Sequence, residues 1–128
     1  MVILDTNIII DHIRQKKGAE TALKKIVRTI PKEAFFISII TIQELYEGKS
    51  TKGEEEDRYL LATIAPLKIL PYSYETAKLA GEIARDSGKP LEFPDAAIAA
   101  TAIINNCELF TLNKKDFQTI KDLRLFSF

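Results

Sequence analysis

The sequence has a single cysteine, Cys107, and a single histidine, His12. One thiol forms no internal disulfide and no cysteine-based zinc cluster. A small buried apolar residue is the simplest reading of Cys107. His12 reads as a surface or partly buried structural residue. No apolar run reaches the roughly 18 residues of a membrane-spanning helix. No basic leader precedes an apolar stretch at the N-terminus, so we expect a cytoplasmic location and no membrane contact. Internal repeats and low-complexity segments are also missing. So is net charge: Lys+Arg and Asp+Glu both number 18. The chain as a whole therefore exerts no strong pull on nucleic acid. Acids gathered in one site can still be offset by bases around it.

What is present is one ordinary domain, residues 1–128, long enough for a sizeable core. Apolar residues make up 46% and charged residues 28%, as in soluble globular chains. Short apolar runs at 2–4, 34–38, 67–70 and 108–112 predict strands. Between them, helical spacing appears at 19–30, 41–48, 55–65 and 74–88. Pro94 opens a small-residue helix, "DAAIAATAII". "KKDFQTI" predicts a short helix, and "LRLFSF" an edge strand. The most polar stretch, "STKGEEEDR" at 50–58, reads as a turn into a solvated helix start. The alternation predicts a three-layer α/β/α sandwich with a central, mostly parallel sheet of four to five strands. Sites in such sheets lie beyond the carboxyl ends of the strands.

Four acids fall at or near those positions, and each has a local explanation. Asp5 could cap the helix that starts near Thr6. Thr41-Ile42-Gln43-Glu44 fits a capping box. Asp95 follows Pro94 in a first helical turn, where the dipole favours a carboxylate. Asn113 to Asp116 has a cap residue followed by an acid. A cap, however, is a local device, and it does not require several helix starts to face one another. In a parallel sheet the helices that follow strands begin at one edge, so the four carboxylates would converge. Their repulsion would be costly without a cation. Hard oxygen ligands suit Mg²⁺ or Mn²⁺ better than zinc. One or two such ions activate water and stabilise the leaving oxygen of a phosphodiester.

The ordered stretches "ILDTNIIIDHI", "ISIITIQELYEG" and "FPDAAIAATAIINNCELFTLNKKDF" resemble the PIN domain, and more narrowly VapC-type toxin ribonucleases. The resemblance covers essentially the whole chain. It implies a PIN-like fold and a Mg²⁺- or Mn²⁺-dependent endoribonuclease, the toxin of a type II toxin–antitoxin pair. By motif, Asp5, Glu44, Asp95 and Asp116 match the four catalytic, metal-holding acids. Thr6, Asn7, Thr111 and Asn113 match flanking polar positions that orient carboxylates or waters. The resemblance also implies a homodimer, an RNA substrate cut to leave a 5′-phosphate and a 3′-hydroxyl, and a cognate antitoxin protein. DNA would be met only indirectly, through the antitoxin.

Lys114 and Lys115, beside Asp116, could contact RNA phosphates. Arg14, Lys16, Lys17, Lys49 and Lys52 could form a basic rim. Tyr46 and Tyr59 read more simply as packing or dimer contacts than as base-stacking platforms. Glu92 reads as a loop surface residue. A haloacid-dehalogenase phosphatase also begins with a strand ending in Asp, but it needs a second acid where this chain has Asn7. A response-regulator receiver needs an acid after the third strand, where this chain has Pro71-Tyr72-Ser73. The remaining alternative is a PIN-fold RNA-binding or regulatory module with little catalysis.

Overall fold

A computed structural model describes residues 1–128, apart from the side chain of Ser50. Four short strands form the sheet: β1 (Val2–Leu4), β2 (Phe35–Ser38), β3 (Lys68–Leu70) and β4 (Glu108–Phe110). All pairings are parallel, in the order β3-β2-β1-β4. Six α-helices surround them: α1 (Thr6–Arg14), α2 (Ala22–Thr29), α3 (Ile39–Glu47), α4 (Glu54–Ile64), α5 (Tyr74–Asp86) and α6 (Phe93–Ile104). This is the expected three-layer sandwich. Among the described residues no helix is long and apolar enough to cross a membrane.

Alternation along the strands builds two cores. Val2, Leu4, Phe35, Ile37 and Phe110 face one side, covered by Ile8 and Ile9 of α1, Leu23 and Ile26 of α2, and Leu60 and Ile64 of α4. Ile3 and Leu109 face the other, covered by Ile98, Ala99 and Ala102 of α6 together with Cys107 and Phe117. α5 then lies on α6 through Ala80, Ala96 and Ala100. The alanines of α6 have no bulk to hold the layers apart. That is why this helix sits on the sheet along most of its length, with Ala96 to Ala102 all buried.

Three local expectations need correction. α3 begins at Ile39, not Thr41, because Ser38 is its cap and accepts from the Ile40 amide at 3.0 Å. The Thr41–Glu44 capping box therefore does not exist, and both residues stand inside the helix. The "LRLFSF" segment is not a strand. It makes one parallel bridge, Leu109 to Leu125, with hydrogen bonds Leu109 N to Arg124 O (2.9 Å) and Phe126 N to Leu109 O (2.8 Å). The segment after Asn113 is a single 3₁₀ turn, Lys114–Asp116.

His12 and the two tyrosines are scaffold. His12 Nδ1 meets the Thr21 hydroxyl at 2.8 Å and Nε2 the Tyr59 hydroxyl at 3.2 Å, tying α1 to the start of α2 and to α4. The Tyr46 hydroxyl donates to Asp57 at 2.7 Å, joining α3 to α4.

The strand order carries the functional consequence. From β1 the chain moves to β2 and β3 on one side, then returns to place β4 on the other. The crevice between the carboxyl ends of β1 and β4 is the switch point where such sheets bind ligands. Close seating of α6 on the sheet supports that crevice. Ala99→Leu overpacks a fully buried position and should cost about 1–3 kcal/mol. A fall in the denaturant midpoint at unchanged m-value would check this.

Candidate acidic active site

Asp5 is the only residue between β1 and α1. Its amide extends the β1–β4 ladder by donating to Phe110 O at 2.9 Å, so the backbone is fixed before the side chain is considered. Oδ1 accepts from the Thr6 amide at 2.7 Å, and Oδ2 accepts from the Thr111 hydroxyl at 2.7 Å. Asp5 is thus both a helix cap and a strand-end carboxylate, 5% exposed. Thr111 leaves β4 on the far side of the switch point. Its hydroxyl also accepts from Asn7 Nδ2 (3.2 Å) and from the Asn113 amide (3.0 Å). Asn7 completes the clamp by accepting the Leu112 amide at 3.2 Å.

A second arm reaches toward β2. Thr6 Oγ1 donates to Glu44 Oε1 at 2.6 Å and meets Thr41 Oγ1 at 3.0 Å. One hydroxyl proton cannot serve both, so with Glu44 ionised the Thr41 hydroxyl donates to Thr6. Thr41 is fully buried in α3. It supports the Thr6–Glu44 bond from beneath, a role that its place in a capping-box motif did not suggest.

Asp95 lies in the first turn of α6, half-buried, and Asp116 closes the 3₁₀ turn after β4. The α6 start has no side-chain cap hydrogen bond, so Asp95 is not a cap. Asp116 accepts a short hydrogen bond from Asn113 Nδ2. Asp95 and Asp116 line one cleft of about 420 Å³ with Asn113, Glu92, Leu91, Pro90 and Lys89. Glu92, expected only as a loop residue, is therefore a fifth acid at this edge. Lys114 and Lys115 do not line the cleft. The Lys114 ammonium donates to Ser127 Oγ at 2.7 Å. Nor do Arg14, Lys16 and Lys17 join it: α1 runs back from the carboxyl edge, so they sit at its opposite end.

Electrostatics bind the acids into one set. Burial raises the Asp95 carboxyl from 3.8 to about 6, helped by the charges of Asp5, Asp116, Glu44 and Glu92. Burial also raises Glu44, against the Thr6 hydrogen bond, with Asp5, Glu47 and Glu92 adding to it. Burial raises Asp5 too, opposed by Thr111 and Thr6, with Asp116 adding. Asp95 is the acid that feels most of the others and is absent from the groups acting on Asp5. Even so, among the described residues no three acid, histidine or cysteine side chains close on a single point where an ion could sit. The acids share an edge without forming a ready-made ligand cage.

Asp95 should therefore weaken the metal-free protein at neutral pH. The helix dipole favours its carboxylate by about 0.3–1 kcal/mol, and the upward shift shows that burial and repulsion outweigh this. A raised acid contributes stability fully below its ordinary value of 3.8, and loses that contribution as pH rises through about 6. Without divalent cations, Asp95→Asn should melt above the natural protein at neutral pH, and the gap should close as pH falls below 3.8. Thermal unfolding across that range checks it; a variant melting well below the natural protein at neutral pH contradicts it.

The PIN domain family model matches residues 2–123 of this chain. The sequence is 30% identical to Ribonuclease VapC1 of Methanocaldococcus jannaschii, over 97% of this chain and 84% of that protein. The fold superposes on the VapBC2 complex of Rickettsia felis, solved bound to a promoter DNA fragment, with a TM-score of 0.83 at 28% identity, covering 100% of this chain and 99% of that one. A Klebsiella pneumoniae toxin–antitoxin complex gives 0.76 at 30% identity, over 96% and 95%. Likeness of this extent, together with the model match over nearly the full length, places the chain in the PIN domain family.

Proposed function

We propose that this chain is a Mg²⁺- or Mn²⁺-dependent endoribonuclease and the toxin of a toxin–antitoxin pair. The observation that carries the reading is the gathering of acids at one edge: burial raises Asp95 most, and the charges of Asp5, Asp116, Glu44 and Glu92 raise it further. A protein gains nothing in stability from gathering five acids unless a cation offsets them. The donor set is all carboxylate oxygen, which suits a hard divalent ion. Asp5, Glu44 and Asp95 would hold it, with Asp116 joining directly or through water. No three of them converge among the described residues, so a bound ion would have to draw these side chains together. When bound, such an ion supplies Lewis acidity that makes water a better nucleophile and stabilises the leaving oxygen.

The chain's own residues supply positioning. Thr111 fixes the Asp5 carboxylate, and Asn7 and Asn113 fix Thr111. Thr6, supported by Thr41, fixes Glu44. RNA as substrate and an antitoxin as partner follow from relatives named as VapC ribonucleases and solved as VapBC complexes. We assign the protein to the cytoplasm, as a homodimer. Ile69, Tyr74 and Phe93 are exposed by 50%, 83% and 67%, and the edge-on contact of Tyr72 with Phe93 joins that apolar surface across the β3 end and the α6 start. This side is the candidate contact between copies.

Cleavage of RNA should require Mg²⁺ or Mn²⁺ and stop with EDTA. Asp5→Asn should lower the rate at least about 100-fold, the scale on which metal sites respond even to loss of supporting groups. If EDTA and the substitution both leave cleavage unchanged, the metal-nuclease reading fails. Thr111→Val keeps the shape of the side chain but removes the only hydroxyl that holds Asp5 Oδ2. It should cost about 10–100-fold in activity or metal affinity while the protein stays folded, as measured by steady-state rates and metal titration.

A further inference from the structure

Among the described residues, Lys89 is the only basic residue lining the acidic cleft. A cation beside Glu92, Asp95 and Asp116 would be expected to pair with one of them. It does not: among the described residues the ion pairs are Arg28–Glu20 and Arg85–Asp86. The Lys89 ammonium instead donates to the Lys115 carbonyl at 3.1 Å. An ammonium has three donors, so two remain for whatever enters the cleft.

The loop that carries Lys89 is held in place. Ser87 Oγ donates to Lys89 O at 2.6 Å and accepts the Lys89 amide at 3.4 Å. Pro90 follows, which restricts Lys89 to extended backbone. Holding the backbone lowers the entropy lost when the side chain is fixed by a ligand. The carbonyl that receives the ammonium belongs to the turn carrying Asp116, so the cation stands over one wall of the site.

We infer that Lys89 seats a phosphate of the RNA strand, the one flanking the bond to be cut on the Asp116 side. This rests on the ribonuclease reading and names a positioning residue within it. A polyanion approaching five carboxylates meets repulsion, and Lys89 is the one group on that wall that reverses its sign. The role expected from sequence for Lys114 and Lys115 passes to a lysine distant in sequence and brought to the same rim by the fold.

The test compares the natural protein, Lys89→Ala and Lys89→Arg on one single-stranded RNA that the natural protein cleaves, across a range of monovalent salt. Lys89→Ala should raise KM about tenfold and lower kcat much less, and the slope of log KM against log salt should flatten by about 0.7, the value of one released counterion on a single strand. Lys89→Arg should restore both. A purely structural latch on the Lys115 carbonyl would lower kcat or thermal stability and leave the salt slope unchanged. That result, or an alanine variant indistinguishable from the natural protein, overturns the phosphate seat while ribonuclease activity stands. A natural protein that neither binds nor cleaves RNA overturns the ribonuclease reading and the seat with it.

Discussion

A threonine hydroxyl has one proton and two lone pairs, and Thr111 uses all three at the switch point of the sheet. It gives the proton to Asp5 and takes hydrogens from Asn7 and Asn113. Those partners come from the end of β1, the start of α1 and the turn after β4. The bond therefore does more than orient one carboxylate. It sets the direction in which the chain leaves β4, and with it the position of Asp116. Removing the hydroxyl would leave three partners unsatisfied, at a site where burial already works against the Asp5 charge.

Around that fixed point the other acids are spread, and magnitudes explain why. Two like charges about 4 Å apart repel by roughly 4 kcal/mol at an effective dielectric of about 20. A hydrogen bond to a charged group returns about 1.5–3 kcal/mol. Hydrogen bonds alone thus cannot hold carboxylates in mutual contact. The protein holds Asp5 and Glu44 firmly, each on its own threonine, and leaves Asp95 half-buried at a helix start with its ionisation raised to about 6. Among the described residues no three of these acids converge, as this balance requires. A divalent cation reverses the sign of the same interactions, so the terms that separate the acids without it would draw them together with it.

The layers of this fold were legible in the sequence because apolar runs and helix breakers mark them independently of one another. Asp5, Asp95 and Asp116 stood out as candidates because a strand end or helix start carries its own local signal, and the structure places all three at one edge. Glu44 became a candidate partly through a capping box that the structure does not contain. Thr-Ile-Gln-Glu imitates a capping box, whereas Ser38 turns β2 directly into α3, and the Thr41–Glu44 spacing instead serves one inward face of that helix. Lys114 and Lys115 were picked out by adjacency to Asp116 in sequence, but the 3₁₀ turn sends the Lys114 ammonium to Ser127, and neither residue lines the cleft. Lys89 and Glu92 carry no motif. Their place depends on how the α5–α6 loop meets the turn after β4, a contact between segments more than twenty residues apart.

Net neutrality acquires a spatial meaning from this arrangement. Five acids gather at the carboxyl edge, whereas Lys16 and Lys17 stand beyond the far end of α1, lining a hollow with His12, Tyr59, Glu55 and Glu56. Screening falls on a scale of about 8–10 Å at physiological salt, so bases at the opposite edge do little for a strand entering the cleft. On the proposed reading, long-range attraction would do little to bring RNA to this edge. Affinity for such a substrate would then rest on short-range contacts at the edge itself, where Lys89 lines the cleft beside Glu92, Asp95 and Asp116. On the proposed ribonuclease reading, an ion at this edge would serve substrate binding as well as chemistry, because five carboxylates without that charge repel a polyanion.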